Sequence, residues 1–135
     1  MMGAEVSIMM KKETGRELGR RGEEAAALFL QGLGQRIIER NWRCRSGEVD
    51  LITEDGDTLV FCEVKTRRSV SAGEPSEAIT PGKQRRYSRL AEIWLSRHDQ
   101  YDGVVRFDVI SILVTSKDRA QITLIKDAFM CEEGS

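Results

Sequence analysis

The hydrophobic positions of this chain change their period several times. Over residues 14–33, apolar or small residues recur at Leu18, Gly22, Ala25, Ala26, Phe29, Leu30 and Leu33. That is the spacing of a helix with one buried face, and Gly32 and Gly34 supply its stop. Residues 35–41 hold Ile37-Ile38 and read as a first strand, which Trp42-Arg43-Cys44-Arg45 continues or leads out of. Two β-type runs, 47–52 and 60–67, then flank Glu54-Asp55-Gly56-Asp57. Asp-Gly between apolar runs is a strong hairpin signal. Thr80-Pro81 places an N-cap before a proline at the first helical position. A second helix follows to about residue 97, with Tyr87, Leu90, Ala91, Trp94 and Leu95 as its buried stripe. Residues 104–115 alternate as a long strand, Lys117-Asp118 is a turn, and residues 121–125 form a last strand.

The predicted order is helix, three strands, helix, two strands. That is an α/β chain in which a mixed sheet carries a helix on each side. The connection from the hairpin through the second helix is a crossover to a parallel neighbour and should be right-handed. Residues 1–13 show no period and read as a disordered tail. The domain is expected over 14–129, with a C-terminal tail at 130–135. The connection over residues 68–80 is polar and rich in small residues, the kind of loop that orders on a substrate.

The hairpin carries the candidate chemistry. A turn centred on Asp55-Gly56 pairs Glu54 with Asp57, Asp50 with Phe61 and Glu48 with Glu63. Alternation then puts Asp50, Glu63 and Lys65 on one face and Val49, Leu51, Val60, Cys62 and Val64 on the other. Asp50 and Glu63 lie on a cross-strand diagonal, about 7–8 Å apart, close enough to converge on one ion. Glu48 opposite Glu63 is a repulsive pair whose cost a divalent cation would reverse. The plain alternative is a solvated hairpin face with a Glu63–Lys65 charge pair. On the first helix, Glu23 falls at the edge of the apolar stripe and can reach a site beside the sheet. It can equally pair with a nearby arginine.

Composition narrows the classes. With 135 residues, 40% hydrophobic and 32% charged, the chain has the profile of one soluble globular domain. No apolar run approaches the ~20 residues that span a bilayer, and the first residues lack a signal-peptide layout, so a cytoplasmic location is the default expectation. Cys44, Cys62 and Cys131 suit neither a zinc site nor a disulfide framework, and Cys62 reads as a small core hydrophobe. His98 is the single histidine, which sets aside paired-histidine nucleases and the usual Ser-His or Cys-His nucleophiles. Net charge is −1, but the arginines gather before residue 90. Arg43, Arg45, Arg67, Lys83 and Arg86 flank the carboxylates in sequence and are the candidate phosphate contacts.

Asp50 followed by Glu63-Val64-Lys65 resembles the Asp…Glu-x-Lys signature of the restriction-endonuclease-like superfamily. Gly22-Glu23, Arg40-Asn41-Trp42-Arg43, Gly47-Glu48-Val49-Asp50-Leu51-Ile52, Phe61-Cys62-Glu63-Val64-Lys65-Thr66-Arg67 and Arg106-Phe107-Asp108-Val109 together resemble the small bacterial YraN-like family, uncharacterised protein family 0102. That family is usually described as endonuclease-like, by analogy with archaeal Holliday-junction resolvases. Val49 stands where the superfamily often has proline. The resemblance implies a restriction-endonuclease-like α/β/α sandwich and a metal-dependent endonuclease acting on DNA, on branched or repair intermediates. It implies Mg²⁺ or Mn²⁺ held by Asp50, Glu63, Glu23 and the Val64 carbonyl. Hard oxygen donors suit these ions. Lys65 would polarise the attacking water or neutralise the transition state. Glu48 would be an outer acid, or salt-bridged to Arg43 or Arg45. Symmetric nicking of two strands would require a homodimer. The competing expectation is a non-catalytic nucleic-acid-binding or interaction module that retains the fold.

Overall fold

The computed structural model describes residues 2–7, 15–68, 80–116 and 118–129. The elements are β1 (Met2–Ser7), α1 (Gly15–Gly32), β2 (Arg36–Cys44), β3 (Gly47–Asp55), β4 (Thr58–Arg67), α2 (Pro81–Ser96), β5 (Val104–Ser116) and β6 (Arg119–Phe129). The six strands form one mixed sheet in the order β1-β6-β5-β4-β3-β2. All neighbours are antiparallel except β4 and β5, which run parallel. Parallel neighbours need a crossover, and α2 is the element between them.

Two apolar clusters sit on opposite faces of the sheet. On one face Leu18, Ala26, Ala27 and Leu30 of α1 pack on Leu51, Val60, Cys62, Ile110, Ile112 and Leu124. On the other, Tyr87, Leu90, Ala91 and Trp94 of α2 pack on Trp42, Val49, Ile52, Leu59, Phe61 and Phe107. This is the α/β/α sandwich with a mixed sheet that the nuclease-like resemblance implies. Cys62 is a core residue, as expected, and Trp42 is buried as well. In α1, Ala27 is buried, while Leu33 just beyond the helix is exposed. Thr80 caps α2, its hydroxyl accepting the Lys83 amide N–H at 3.1 Å.

Three features differ from the reading of the sequence. Met2–Ser7, taken as tail, is strand β1, paired along its length with β6. Six residues without alternation carry no strand signal alone; the open edge of β6 supplies the partner. The element order is therefore βαβββαββ. The last strand is also longer, Arg119–Phe129. The third difference is the hairpin register. Asp55 pairs with Thr58 and Leu51 with Cys62, so the loop is Gly56-Asp57 and every pair is shifted by two residues from the expected one. Gly56 takes the left-handed conformation (φ 61°) at the first loop position, as a two-residue hairpin turn requires. Residues 69–79 of the connection expected over 68–80, the tails at 8–13 and 130–135, and Lys117 of the expected Lys117-Asp118 turn lie outside the described residues. Among the described residues, no helix is long and apolar enough to cross a membrane.

Candidate metal and nucleic-acid site

The site begins with a break in strand alternation. Val49 packs on the α2 face and Leu51 on the α1 face, although residues two apart on a regular strand share a face. The neighbouring strand breaks at the same level. Arg40 pairs with Leu51 and Trp42 with Val49. Asn41, between them, has φ 51°, a left-handed conformation that asparagine tolerates better than most residues. Pairing of β3 with β4 stops at Leu51 and Cys62. Asp50 therefore lies where the two strands part, and its Oδ2 accepts the Val64 amide N–H at 2.8 Å.

Other elements bring further carboxylates to this fork. Gly22 of α1 faces β4 so closely that a Cβ there would overlap Thr66 Oγ1. That approach sets the next residue, Glu23, beside the fork, half-buried, with its side chain hydrogen-bonded to Asn41. Burial pushes the Glu23 pKa up, the Asn41 bond opposes this, and Glu48 raises it further. The Asp50 pKa is pushed up to about 7, by burial first. The Val64 N–H opposes the rise, and Glu23, Glu48 and Glu63 each add to it. From the α2 side, the buried Tyr87 hydroxyl has its pKa driven upward by burial and then by Asp50 and Glu63. Four acids thus feel one another around Asp50, as expected where chemistry needs shifted groups.

The expected hairpin diagonal is not what joins these groups. With the register shifted by two residues, Glu48 does not face Glu63. It is opposite Arg43 in β2 and in contact with it, Nε to Oε1 at 3.5 Å. Glu63 is half-buried and engages Lys83 of α2, Nζ to Oε1 at 2.9 Å. The side chain expected to be a surface phosphate contact is thus the direct partner of a candidate metal ligand. Lys65 is exposed and makes no ion pair with Asp50 or Glu63, so the Glu63–Lys65 pair does not form. Lys83 reaches Glu63 from the helix packed on that face. Val64 meets Asp50 through its N–H, whereas the sequence reading assigned a role to its carbonyl.

The candidate arginines divide. Arg43 and Arg45 are exposed, and Arg43 is in contact with Glu48. Arg86 is exposed, and its Cδ lies where a Cβ on Gly47 (φ 143°) would be 3.3 Å away. Arg67 is partly buried and donates to Ser111 Oγ at 3.5 Å. On the α1 side a cavity of about 140 Å³ is lined by Arg20, Glu23, Glu24, Arg40, Asn41 and Leu51. Arg20 and Arg40 had no place among the expected phosphate contacts, and neither had Asn41 or Tyr87 among the site residues. Only Asn41 carried a local hint, its tolerance of the left-handed region.

The match to relatives covers this whole region. A model of "Uncharacterised protein family UPF0102" matches residues 22–112. The chain belongs to that family. It is 51% identical to a UPF0102 protein of Acidothermus cellulolyticus, over 83% of this chain and 92% of the relative. It is 53% identical to one of Geobacter sulfurreducens, over 83% and 88%, and 55% identical to one of Streptomyces griseus, over 72% and 82%. In this UPF0102 chain the matched span begins at Gly22, the glycine of the close approach, and includes Glu23, Asn41, Asp50, Glu63 and Lys83.

Proposed function

We propose that this UPF0102 chain is a divalent-cation-dependent endonuclease that hydrolyses phosphodiester bonds in DNA. The observation that carries this reading is the fork at Asp50. A half-buried carboxylate with its pKa near 7 sits among Glu23, Glu48 and Glu63. A sheet built only for stability gains nothing from such a cluster, whereas a hard cation turns its repulsion into attraction. The donor chemistry fits Mg²⁺ or Mn²⁺, with Asp50 and Glu63 as ligands and Glu23 completing or orienting the shell. Among the described residues no three such groups already surround one point, so holding an ion requires Glu63 or Glu23 to turn inward. The ion would supply an activated water and charge stabilisation at phosphate oxygens. The chain's own residues do the rest. The Val64 N–H fixes the Asp50 carboxylate, Asn41 fixes Glu23, and Arg43, Arg45 and Arg86 offer phosphate contacts. Lys65 stands on the exposed strand end to orient water.

One observation favours a second reading. Lys65 is exposed and touches neither carboxylate, which suits a module that binds nucleic acid without cutting it. A panel of branched, nicked, single-stranded and duplex DNA with Mg²⁺, Mn²⁺ or EDTA separates the two. The enzyme reading expects cleavage that EDTA abolishes and Asp50→Asn lacks. Salt-dependent binding, with a slope of about −0.9 per phosphate neutralised on duplex, without cleavage by the wild type in either metal supports the module. Absence of both binding and cleavage overturns both readings.

A further inference from the structure

The cation in contact with the acidic fork comes from the protein itself. Lys83 sits in the first turn of α2, three residues after the Thr80 cap that holds its backbone N–H. Its side chain meets Glu63 at 2.9 Å, and the two side chains are 26% and 14% exposed. Arg43 is occupied with Glu48 and is largely exposed, and Lys65 is exposed. Half-buried acids are costly unless compensated, and Lys83 is the compensation that the described residues provide for Glu63.

We propose that Lys83 is an exchangeable internal counter-ion, neutralising Glu63 while the fork holds no metal and released when a divalent cation takes that carboxylate. This rests on the metal-site reading above. An ammonium and a divalent cation on one partly buried carboxylate repel each other, with little water to screen them. A carboxylate aimed at Lys83 must also turn to join Asp50. The two ligands of Glu63 are therefore negatively coupled, and coupling is reciprocal: whatever weakens the Lys83 contact strengthens the metal, and the metal frees Lys83. The freed ammonium stands in the first turn of α2, beside the positive end of the helix dipole. The same event that loads the ion thereby adds a phosphate contact beside it.

Two measurements test this. In the folded wild type, the acetylation rate of Lys83 is followed by mass spectrometry with and without Mn²⁺, with the exposed Lys126 of β6, beside Asp55, as internal reference. Lys83 should become several-fold more reactive with Mn²⁺ while Lys126 does not change. In parallel, Mn²⁺ affinity is measured by calorimetry for wild type, Lys83→Met and Lys83→Arg. Lys83→Met should bind at least about fivefold more tightly, the lower range of ordinary site-to-site coupling, and Lys83→Arg should stay near wild type. Mn²⁺ binding seen only in Lys83→Met also supports the exchange. Wild-type binding with unchanged Lys83 reactivity, or equal affinity in Lys83→Met, overturns the exchange and leaves the metal site standing. No Mn²⁺ binding by any of the three proteins overturns both.

Discussion

The Val64 amide donates to Asp50 Oδ2 at 2.8 Å, just beyond the last paired residues of β3 and β4. The bond makes a carboxylate the partner of a backbone group that the parting strands leave over. Buried backbone groups must find partners, so the fork and the position of Asp50 are one feature.

Asp50 should make the metal-free protein less stable as pH rises. Its native pKa is about 7 against an ordinary 3.8, so between these values the native state binds more protons than the unfolded one. Stability then falls with rising pH, and the loss is complete above about pH 7. A shift of this size corresponds to roughly 4 kcal/mol at most. Glu23, Glu48 and Glu63 add to it from α1, β3 and β4, with Tyr87 of α2 alongside. Lys83 and Arg43 are paired with Glu63 and Glu48, Arg20 and Arg40 line the cavity beside Glu23, and Arg86 acts on Tyr87. Asp50→Asn keeps an acceptor for Val64 and removes the charge. In EDTA, urea unfolding at pH 5 and pH 8 should show the variant gaining on wild type by about 2–3 kcal/mol at the higher pH. A pH-independent difference would exclude a shifted Asp50.

Gly22→Ala should destabilise by about 1–3 kcal/mol, the range for overpacking. The added methyl overlaps Thr66 Oγ1 and lies near Thr66 Cβ and Cγ2. Thr66→Ala should recover part of the loss, because it removes two of the three contacts. A double-mutant cycle from thermal unfolding reads this directly, with a coupling above about 0.5 kcal/mol expected for residues in contact.

How much of this was legible follows from how far each feature depends on its own neighbours in sequence. The stripes of α1 and α2 were readable because Leu18, Ala26 and Leu30, or Tyr87, Leu90 and Trp94, declare their faces locally. The hairpin was readable from Asp55-Gly56. Its register was not, because Gly56 can serve the turn in either of two frames, and only packing against α1 and α2 selects one. Helix angle and a family motif pointed to Glu23 as the acid able to reach beside the sheet, and its charge does raise the Asp50 pKa. The face reversal at Asn41 and Asp50 breaks the alternation on which any strand reading rests. The reach of Lys83 to Glu63 exists only once α2 lies on the sheet, twenty residues on in sequence.

Asp108 should prove a stability residue. It is 1% exposed and takes two bonds from Arg106, Nε and a terminal nitrogen each at 2.9 Å. Its Oδ1 also accepts the Asp127 N–H at 2.9 Å. Asp127 has φ 53° and lies in the irregular stretch where Phe107 pairs with Phe129 but Val109 with Ile125. Arg106 goes on to Asp55 at 2.9 Å. Asp108→Ala leaves Arg106 half-compensated and an amide unpaired, and should cost about 3 kcal/mol, the low end for breaking a buried pair. Denaturant unfolding checks this, and a loss under about 1 kcal/mol would contradict it.

Lys65→Ala should separate chemistry from folding. Lys65 is exposed, at the level of Ser111 on β5, and holds no ion pair with the carboxylates, so its loss should change stability by less than about 0.5 kcal/mol. Under the enzyme reading it acts only on water and on developing charge at phosphate, so its removal should slow cleavage by about a hundredfold or more. The Mn²⁺-induced rise in Tm should persist, because under that reading Asp50, Glu63 and Glu23 hold the metal. Lys65→Arg should rescue poorly, since a planar guanidinium does not replace a compact ammonium at a water. Single-turnover cleavage of the best DNA substrate, alongside thermal melting with Mn²⁺, provides both numbers. Undiminished cleavage by Lys65→Ala would remove Lys65 from the chemistry, and the ammonium that Lys83 brings to Glu63 would then be the next to test in that role.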